Sequence, residues 1–274
     1  MVSASFVCWH TDPQELAACL EMTVRAELGA VYVVDNARQQ AIADVCTSFK
    51  GVEYIPSDNR GYGAGHNIAI RRAMTWGAAY HLVSNTDISC EPAAIRHLAE
   101  YMEANKDVVL VHPRITDQDG REQYTVRRLP DPMDLIIRRF TPSWFMPRRK
   151  AAYLLRHSDK TKPLNVPYVQ GSFMLMRTDA LQKTGLFDER FFMYPEDIDL
   201  TRRLHTVGRT MYVPGVTVVH RHRQADRRSA RLLGVHVINM IRYFNKWGRL
   251  NDPQRKLFNS RLESRISSQR ESAK

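Results

Sequence analysis

"AVYVVDN", residues 30–36, is a short valine-rich run that ends in an acid and an amide. Such a run, closed at once by turn-forming residues, reads as a buried strand with a polar tip. The same pattern recurs on both sides of it. SASFVCW (3–9), VEYIP (52–56) and YHLVSNTD (80–87) read as strands. PQELAACLEMTVRAE (13–27), QAIADVCTSF (40–49) and NIAIRRAMTWG (67–77) read as helices, the first with proline in its first turn and the last stopped by glycine. Strand alternating with helix requires crossover connections, which predicts an α/β fold: a Rossmann-like, mostly parallel sheet flanked by helices. Ligands of such sheets sit beyond the carboxyl ends of the strands. That places Asp35 and Asp87, the acids at two strand tips, on the ligand side.

Beyond residue 90 the pattern becomes mixed. PAAIRHLAEYMEAN (92–105) is helical, VVLVHPRI (108–115) a strand and DQDG (117–120) a turn. A basic, aromatic and proline-rich stretch follows, with no clear element between Tyr124 and Lys150. VPYVQGSFMLMRTDALQKTG (166–185) reads as a strand leading into a helix, and TMYVPGVTVVHRH (210–222) as a late strand with a Pro-Gly turn inside it. RLLGVHVINMIRYFNKWGRL (231–250) is helical, with Leu232, Leu233, Val237, Ile241 and Phe244 on its apolar side. The polar tail ESRISSQRESAK (263–274) is expected to fray. The expected division is one catalytic-type domain over 1–228, with 124–165 as a basic and aromatic segment, then a helical extension over 229–274.

Apolar content of 43% in 274 residues is that of an ordinary folded protein with a sizeable core. The formal net charge of +11 points to an anionic partner: nucleic acid, a membrane face or phosphorylated small molecules. Charge alone favours nucleic acid, but no recognition module is present, so no nucleic-acid partner is expected. Cys8, Cys19, Cys46 and Cys90 have no C-x-x-C spacing and read as reduced thiols of a cytosolic protein. MVSASFVCWHTD lacks the basic start and apolar stretch of a secretory signal, and no run is long enough to span a bilayer.

Four motifs carry candidate chemistry. NRGYGAGHN (59–67) has three glycines ahead of a helix, which suits either backbone approach to a phosphate or a flexible turn. SNTD (84–87) has an acid two residues from Asn85, which suits a divalent ion on a diphosphate or a plain helix cap. VVHRHR (218–223) places His220 and His222 on one strand face; either is a metal ligand only with a partner elsewhere, and Asp87 is the candidate. RFFMYPEDIDLTRRL (190–204) packs Glu196, Asp197 and Asp199 into four positions. Acids in a first helical turn gain about 0.3–1 kcal/mol each from the helix dipole, and Asp199 can pair with Arg202 or Arg203. The apolar lead-in is left unexplained by that reading, whereas a general base gains from a partly desolvated wall.

In this order the motifs resemble the inverting nucleotide-sugar glycosyltransferases of family 2, which have the GT-A fold; the similarity runs from about Ser3 to Arg228. FMYPEDIDLTRRL, NRGYGAGHN, SNTDI and QGSFMLMR most resemble bacterial L-rhamnosyltransferases of O-antigen and cell-surface polysaccharide assembly. Those read N-P-D-I where this chain has Asn85-Thr86-Asp87-Ile88. The resemblance implies that Asp35 recognises the nucleotide base and that Asn59, Gly61, Gly65 and Asn67 line the nucleotide and diphosphate. It makes Asp87 and His220 the ligands of Mg2+ or Mn2+, with Asn85 in place of the first acid of D-x-D. Gly171 and Ser172 open space beside the donor sugar, Asp197 is the catalytic base and Glu196 its neighbour in the acceptor pocket. CWHT (8–11) departs from the T-Y-N of many relatives, which leaves His10 without an implied role. The implied donor is dTDP-β-L-rhamnose, with UDP- or GDP-hexoses as alternatives, and the implied acceptor a polyprenyl-diphosphate-linked glycan.

The basic surplus then has a place. Arg127, Arg128, Arg138, Arg139, Arg148, Arg149 and Lys150, interleaved with Phe140, Trp144 and Phe145, suit an anionic membrane face, with Arg242, Tyr243, Phe244, Lys246 and Trp247 of the last helix. The plainer reading is a solvated basic loop and a core or homodimer helix. The expected location is peripheral, on the cytoplasmic face of the inner membrane.

Overall fold

A computed structural model describes residues 1–142, 144–221 and 230–271. The expected alternation is realised as β1 (Val2–Cys8), α1 (Pro13–Arg25), β2 (Ala30–Asp35), α2 (Gln40–Thr47), β3 (Val52–Pro56), α3 (Tyr62–Trp76) and β4 (Tyr80–Ser84). There follow β5 (Ile88–Ser89), α4 (Pro92–Ala104), β6 (Val108–Thr116), β7 (Val126–Arg127), α5 (Pro132–Phe140) and α6 (Pro147–Tyr153). The remainder is β8 (Leu164–Asn165), β9 (Tyr168–Val169), β10 (Phe173–Arg177), α7 (Thr178–Thr184), α8 (Glu196–Leu204), β11 (Arg209–His220), α9 (Ala230–Trp247) and α10 (Pro253–Glu271).

The main sheet runs β3-β2-β1-β4-β10-β6-β11-β5, with β8 also on β11; β7 and β9 form a separate ribbon. β3, β2, β1 and β4 are parallel, β10 is antiparallel to both β4 and β6, and β11 is parallel to β6. Apolar side chains of α1, α2 and α4 cover one face, among them Leu16, Ile42, Ile95 and Leu98. Ile70 of α3, Leu181 of α7, Leu200 and Leu204 of α8 and Leu262 of α10 cover the other.

Four local expectations give way to tertiary packing. α3 starts at Tyr62, so Gly63 and Gly65 lie inside a helix rather than in a loop. Glycine in a helix costs about 1 kcal/mol relative to alanine, and close approach explains why that cost is borne. A Cβ at Gly65 would lie 2.8 Å from a Val7 methyl carbon, and one at Gly63 would lie 2.7 Å from Phe187 Cβ. Gly61 caps the helix at φ 102°, where a Cβ would sit 2.1 Å from the Phe192 carbonyl oxygen. The Pro-Gly of β11 makes no turn: the strand runs through it with a register shift between Val213 and Thr217.

The C-terminal segment expected to fray is helix as far as Glu271. Phe258, Leu262 and Ile266 form a stripe one residue wide, and all three are buried. Asn259 bonds both the N–H and the carbonyl of Leu129, and Gln269 reaches the Pro163 carbonyl. The basic stretch is likewise ordered into elements. Prolines at 132 and 147 begin α5 and α6, and Asp131 with Asp134 makes a capping box on α5.

Candidate functional site

The topology brings the candidate residues to one edge of the sheet. Parallel pairing puts the ends of β1, β2 and β4 together, with Asp35 closing β2 and Asn85–Asp87 following β4. Because β10 is antiparallel, its start is at that edge, and Ser84 pairs with Phe173, which Gly171 and Ser172 precede. β11 ends there too, with His220 opposite Ile88. A polar cavity of about 530 Å³ opens beside them, lined by Asp12, Gln14, Glu15, Gln118 and Arg221.

The Asp87 and His220 side chains meet, with Oδ1 and Nε2 3.1 Å apart. Gln123, which no motif singled out, orients the ring. Its Nε2 donates to the His220 carbonyl at 3.0 Å, which turns its Oε1 toward His220 Nδ1, also at 3.0 Å. A carbonyl only accepts, so the Gln amide can face one way; Nδ1 must carry the proton and Nε2 is presented to Asp87. Among the described residues no group of three or more His, Cys, Asp or Glu converges on a metal-sized site. His222 lies outside the described residues.

Asp197, half-buried at the start of α8, accepts from the Gly171 N–H through Oδ2 (3.1 Å) and from its neighbour Ile198 through Oδ1 (2.8 Å). The Tyr168 hydroxyl lies 3.5 Å from Oδ2. Glu196 is 5% exposed, and its Oε2 has no hydrogen-bond partner among the described residues. Burial, and then the Asp197 charge beside it, push the Glu196 carboxyl up to about 8. Burial raises Asp197 as well, opposed by the Gly171 N–H, the Arg127 charge and the Ile198 N–H. Two adjacent carboxyls that burial raises together favour a single negative charge between them near neutral pH. Backbone N–H groups also lower Glu196, but only Asp197 has a cation, Arg127, opposing its burial, which favours the charge there and the proton on Glu196.

Asp199 does different work from its neighbours. It is fully buried and bonds Arg203, Lys246 and Trp247 Nε1 at 2.7–2.9 Å, which ties α8 to α9. The lead-in to α8 is a clamp as well as a wall. Phe191 is buried with Ile198 and Phe244, and the Phe192 carbonyl accepts from the Tyr62 N–H at 3.0 Å.

Tyr62, another residue the motifs missed, links the two halves. Its hydroxyl lies 2.7 Å from the Gly171 carbonyl and 3.0 Å from Asn85 Oδ1. Asn85 N–H donates to the Ser172 carbonyl, while the Ser172 hydroxyl, itself buried, has no partner among the described residues. Asp35 is buried and braces its own loop, accepting from the N–H groups of Ala37 and Gln39 and from the Tyr54 hydroxyl. Asn59 accepts from the Gly61 N–H at 3.2 Å. Asn67 is 1% exposed, and its amide bonds Phe187 and Glu189, so it anchors the 187–189 loop.

The basic residues also need correction. Arg127 is buried, Arg128 and Arg149 close on Asp134, and Lys150 bonds the Thr141 and Pro142 carbonyls. Tyr243 and Phe244 belong to the core, and Arg242, Lys246 and Trp247 bond inward to Arg190, Asp188 and Asp199. Arg148, Trp144 and Phe145 remain exposed; the side chains of Arg138, Arg139 and Phe140 lie outside what is described. Cations within reach of buried carboxylates and carbonyls are drawn to them, which a charge count does not reveal.

The sequence profile of glycosyl transferase family 2 matches residues 6–185. The chain belongs to that family. Over 246 residues this family 2 glycosyltransferase is 26% identical to rhamnosyltransferase WbbL of Escherichia coli K12, covering 87% of each chain. It is 28% identical over 208 residues to the N-acetylglucosaminyl-diphospho-decaprenol L-rhamnosyltransferase of Mycobacterium tuberculosis, covering 70% of this chain and 66% of that one. Among solved structures it resembles GalNAc-T7 with UDP, GalNAc and Mn2+, with a TM-score of 0.63 at 14% identity. That match covers 90% of this chain and 48% of the other, and the likeness is of fold: α/β, GT-A, with α9 and α10 added C-terminally.

Proposed function

We propose that this glycosyltransferase moves L-rhamnose from dTDP-β-L-rhamnose, with inversion, to a hydroxyl of a lipid-linked glycan in cell-surface polysaccharide synthesis. The observation that carries the reading is the pairing of an Asp87–His220 site with the adjacent carboxyls of Glu196 and Asp197 beside Gly171, bridged by Tyr62. Relatives named as rhamnosyltransferases support the choice of sugar.

Asp197 takes the proton of the acceptor hydroxyl as its oxygen attacks the anomeric carbon. The bond to the diphosphate breaks on the opposite side, giving an α-L-rhamnoside and dTDP. Glu196, holding its proton, donates a hydrogen bond to the acceptor sugar. Asp35, Asn59 and Gly61 line the nucleotide, with Gly65 behind them. Asn85, Gly171 and Ser172 border the donor sugar. Asp87 and His220 fit a hard divalent ion, since Asp87 brings a carboxylate oxygen and Gln123 leaves His220 Nε2 facing it. Mg2+ or Mn2+, when bound, neutralises the departing diphosphate.

A thermal-shift screen with Mn2+ tests the donor. The expected order is dTDP-rhamnose above UDP-glucose, UDP-N-acetylglucosamine and GDP-mannose; a larger shift with a UDP- or GDP-hexose would replace the sugar. His220→Ala is expected to lose the Mn2+-dependent part of the shift, and an unchanged Mn2+ titration would remove His220 from the metal site.

The acceptor's lipid places the enzyme at the cytoplasmic face of the inner membrane. No helix among the described residues is long and apolar enough to cross a bilayer, so contact would be peripheral. The surface that supports it is narrower than the charge pattern implied. Met133, Ile136, Trp144, Phe145 and Met146, around α5 and α6, are all exposed, Trp144 at 75%, with Arg148 beside them. Flotation with anionic liposomes at low salt is expected to recover the wild type and to lose the Trp144→Ser, Phe145→Ser variant; absence of wild-type binding would end the membrane reading.

A further inference from the structure

Arg127 is a buried cation without a carboxylate of its own. Its side chain is held by neutral oxygens: Nε donates to the Tyr124 carbonyl (2.9 Å), Nη1 to the Tyr168 hydroxyl (2.8 Å) and Nη2 to Gln170 Oε1 (3.2 Å). At 5% exposure, water offers it little. Burying a charge this way is costly unless an opposite charge stands close by.

Both branches of the guanidinium lead to Asp197. Arg127 lies opposite Tyr168 in the β7–β9 ribbon, and the Tyr168 hydroxyl approaches Asp197 Oδ2 at 3.5 Å. Gln170 adjoins Gly171, whose N–H donates to the same oxygen at 3.1 Å. The ionisable groups facing Asp197 are Glu196 on its own helix, Tyr62 from α3, Tyr168 from β9 and Arg127 from β7. Asp87 lies beyond Tyr62, and Lys246 of α9 is taken up by Asp188 and Asp199. Arg127 is thus the one cation among them that faces Asp197.

We propose that Arg127 is a positioning residue which, through Tyr168, keeps the single negative charge of the Glu196–Asp197 pair on Asp197. Without it, burial favours protonating Asp197 with only the backbone N–H groups left to oppose it, so less of the base would stand charged. The opposite charge lowers an acid's pKa; removing it must move the Asp197 titration upward.

The inference deepens the reading of Asp197 as the base, and its test needs neither donor nor acceptor. The full-length chain, labelled with 13C at the aspartate carboxyls, is titrated by NMR, with the Asp197 signal assigned by its absence in Asp197→Asn. In Arg127→Gln the midpoint is expected to rise by about one pH unit or more. Arg127→Lys, which keeps the charge, is expected to restore most of the difference, which a role in packing alone would not do. Tyr168→Phe keeps the ring, removes the hydroxyl link and is expected to shift the midpoint in the same direction. A wild-type midpoint in Arg127→Gln would overturn the proposal, as would equal shifts in Arg127→Lys and Arg127→Gln. If Arg127→Gln fails to fold by circular dichroism, an unshifted Tyr168→Phe overturns it. Turnover by Asp197→Asn would place the base elsewhere, and the NMR titration would still judge Arg127.

Discussion

Asp197→Asn is expected to lower kcat by roughly two to four orders of magnitude, the usual worth of a positioned general base, while nucleotide affinity stays near wild type. The substitution keeps size and shape. Its amide oxygen can still accept from Gly171 or Ile198, so the start of α8 has no reason to move. What disappears is the one group in the acceptor pocket that is both charged and placed to take a proton. Glu196 does not replace it, because burial, the larger cause that keeps its proton on, persists when the Asp197 charge is gone. Turnover within about ten-fold of wild type, less than a general base contributes, would assign the proton transfer to another residue.

Asp252→Ala is expected to destabilise the fold by about 3–5 kcal/mol, the usual loss when one partner of a buried ion pair is removed. Arg202 and Asp252 are 1% and 2% exposed, and two parallel contacts of 2.7 Å and 2.5 Å join them. Trp247 lies 4.0 Å from the Arg202 guanidinium, and Gln254 accepts from its Nε. Removing the carboxylate leaves that guanidinium dry and unpaired at the junction of α8, α9 and α10. Since α8 also carries Asp197, α9 and α10 act as a brace for the acceptor side of the site. Urea denaturation reads the loss directly. A change below about 1 kcal/mol, the range of exposed pairs, would mean that water reaches Arg202.

The α/β pattern of the first ninety residues was legible because β1, β2 and β4 are buried apolar runs, with β3 at the sheet edge, and the helices between them carry apolar residues into the core. The gathering of candidate residues at one sheet edge was legible where side chains are polar at a strand end, as at Asp35, Asp87 and His220. It was illegible where tertiary contact decides. The glycines of α3 read as a loop because their purpose is the approach of Val7, Phe187 and Phe192, far away in sequence. The anchoring of the 187–189 loop by Asn67 was illegible because an amide gives no sign of which backbone it will bond. α10 read as a tail because its apolar stripe is a single residue wide. Of the residues that brace the site, Gln123 lay just before the basic, aromatic and proline-rich stretch and Arg127 lay inside it. One signal was available there: Gln123, Thr125 and Arg127 alternate, as one face of an extended chain does. Each engages the site's frame, at His220, at His112 and at Tyr168.

The central claim is that one edge of the sheet holds the leaving group on Asp87 and His220 while Asp197 faces it across Tyr62. Crystals grown with dTDP and Mn2+, measured at the manganese absorption edge, test it most directly. The account predicts one anomalous peak in contact with Asp87 Oδ1 and His220 Nε2, with the diphosphate bound to it and the Asp197 carboxylate facing the same cavity. Nucleotide bound away from the ends of β2, β4 and β11, or a peak that touches neither residue, would contradict it.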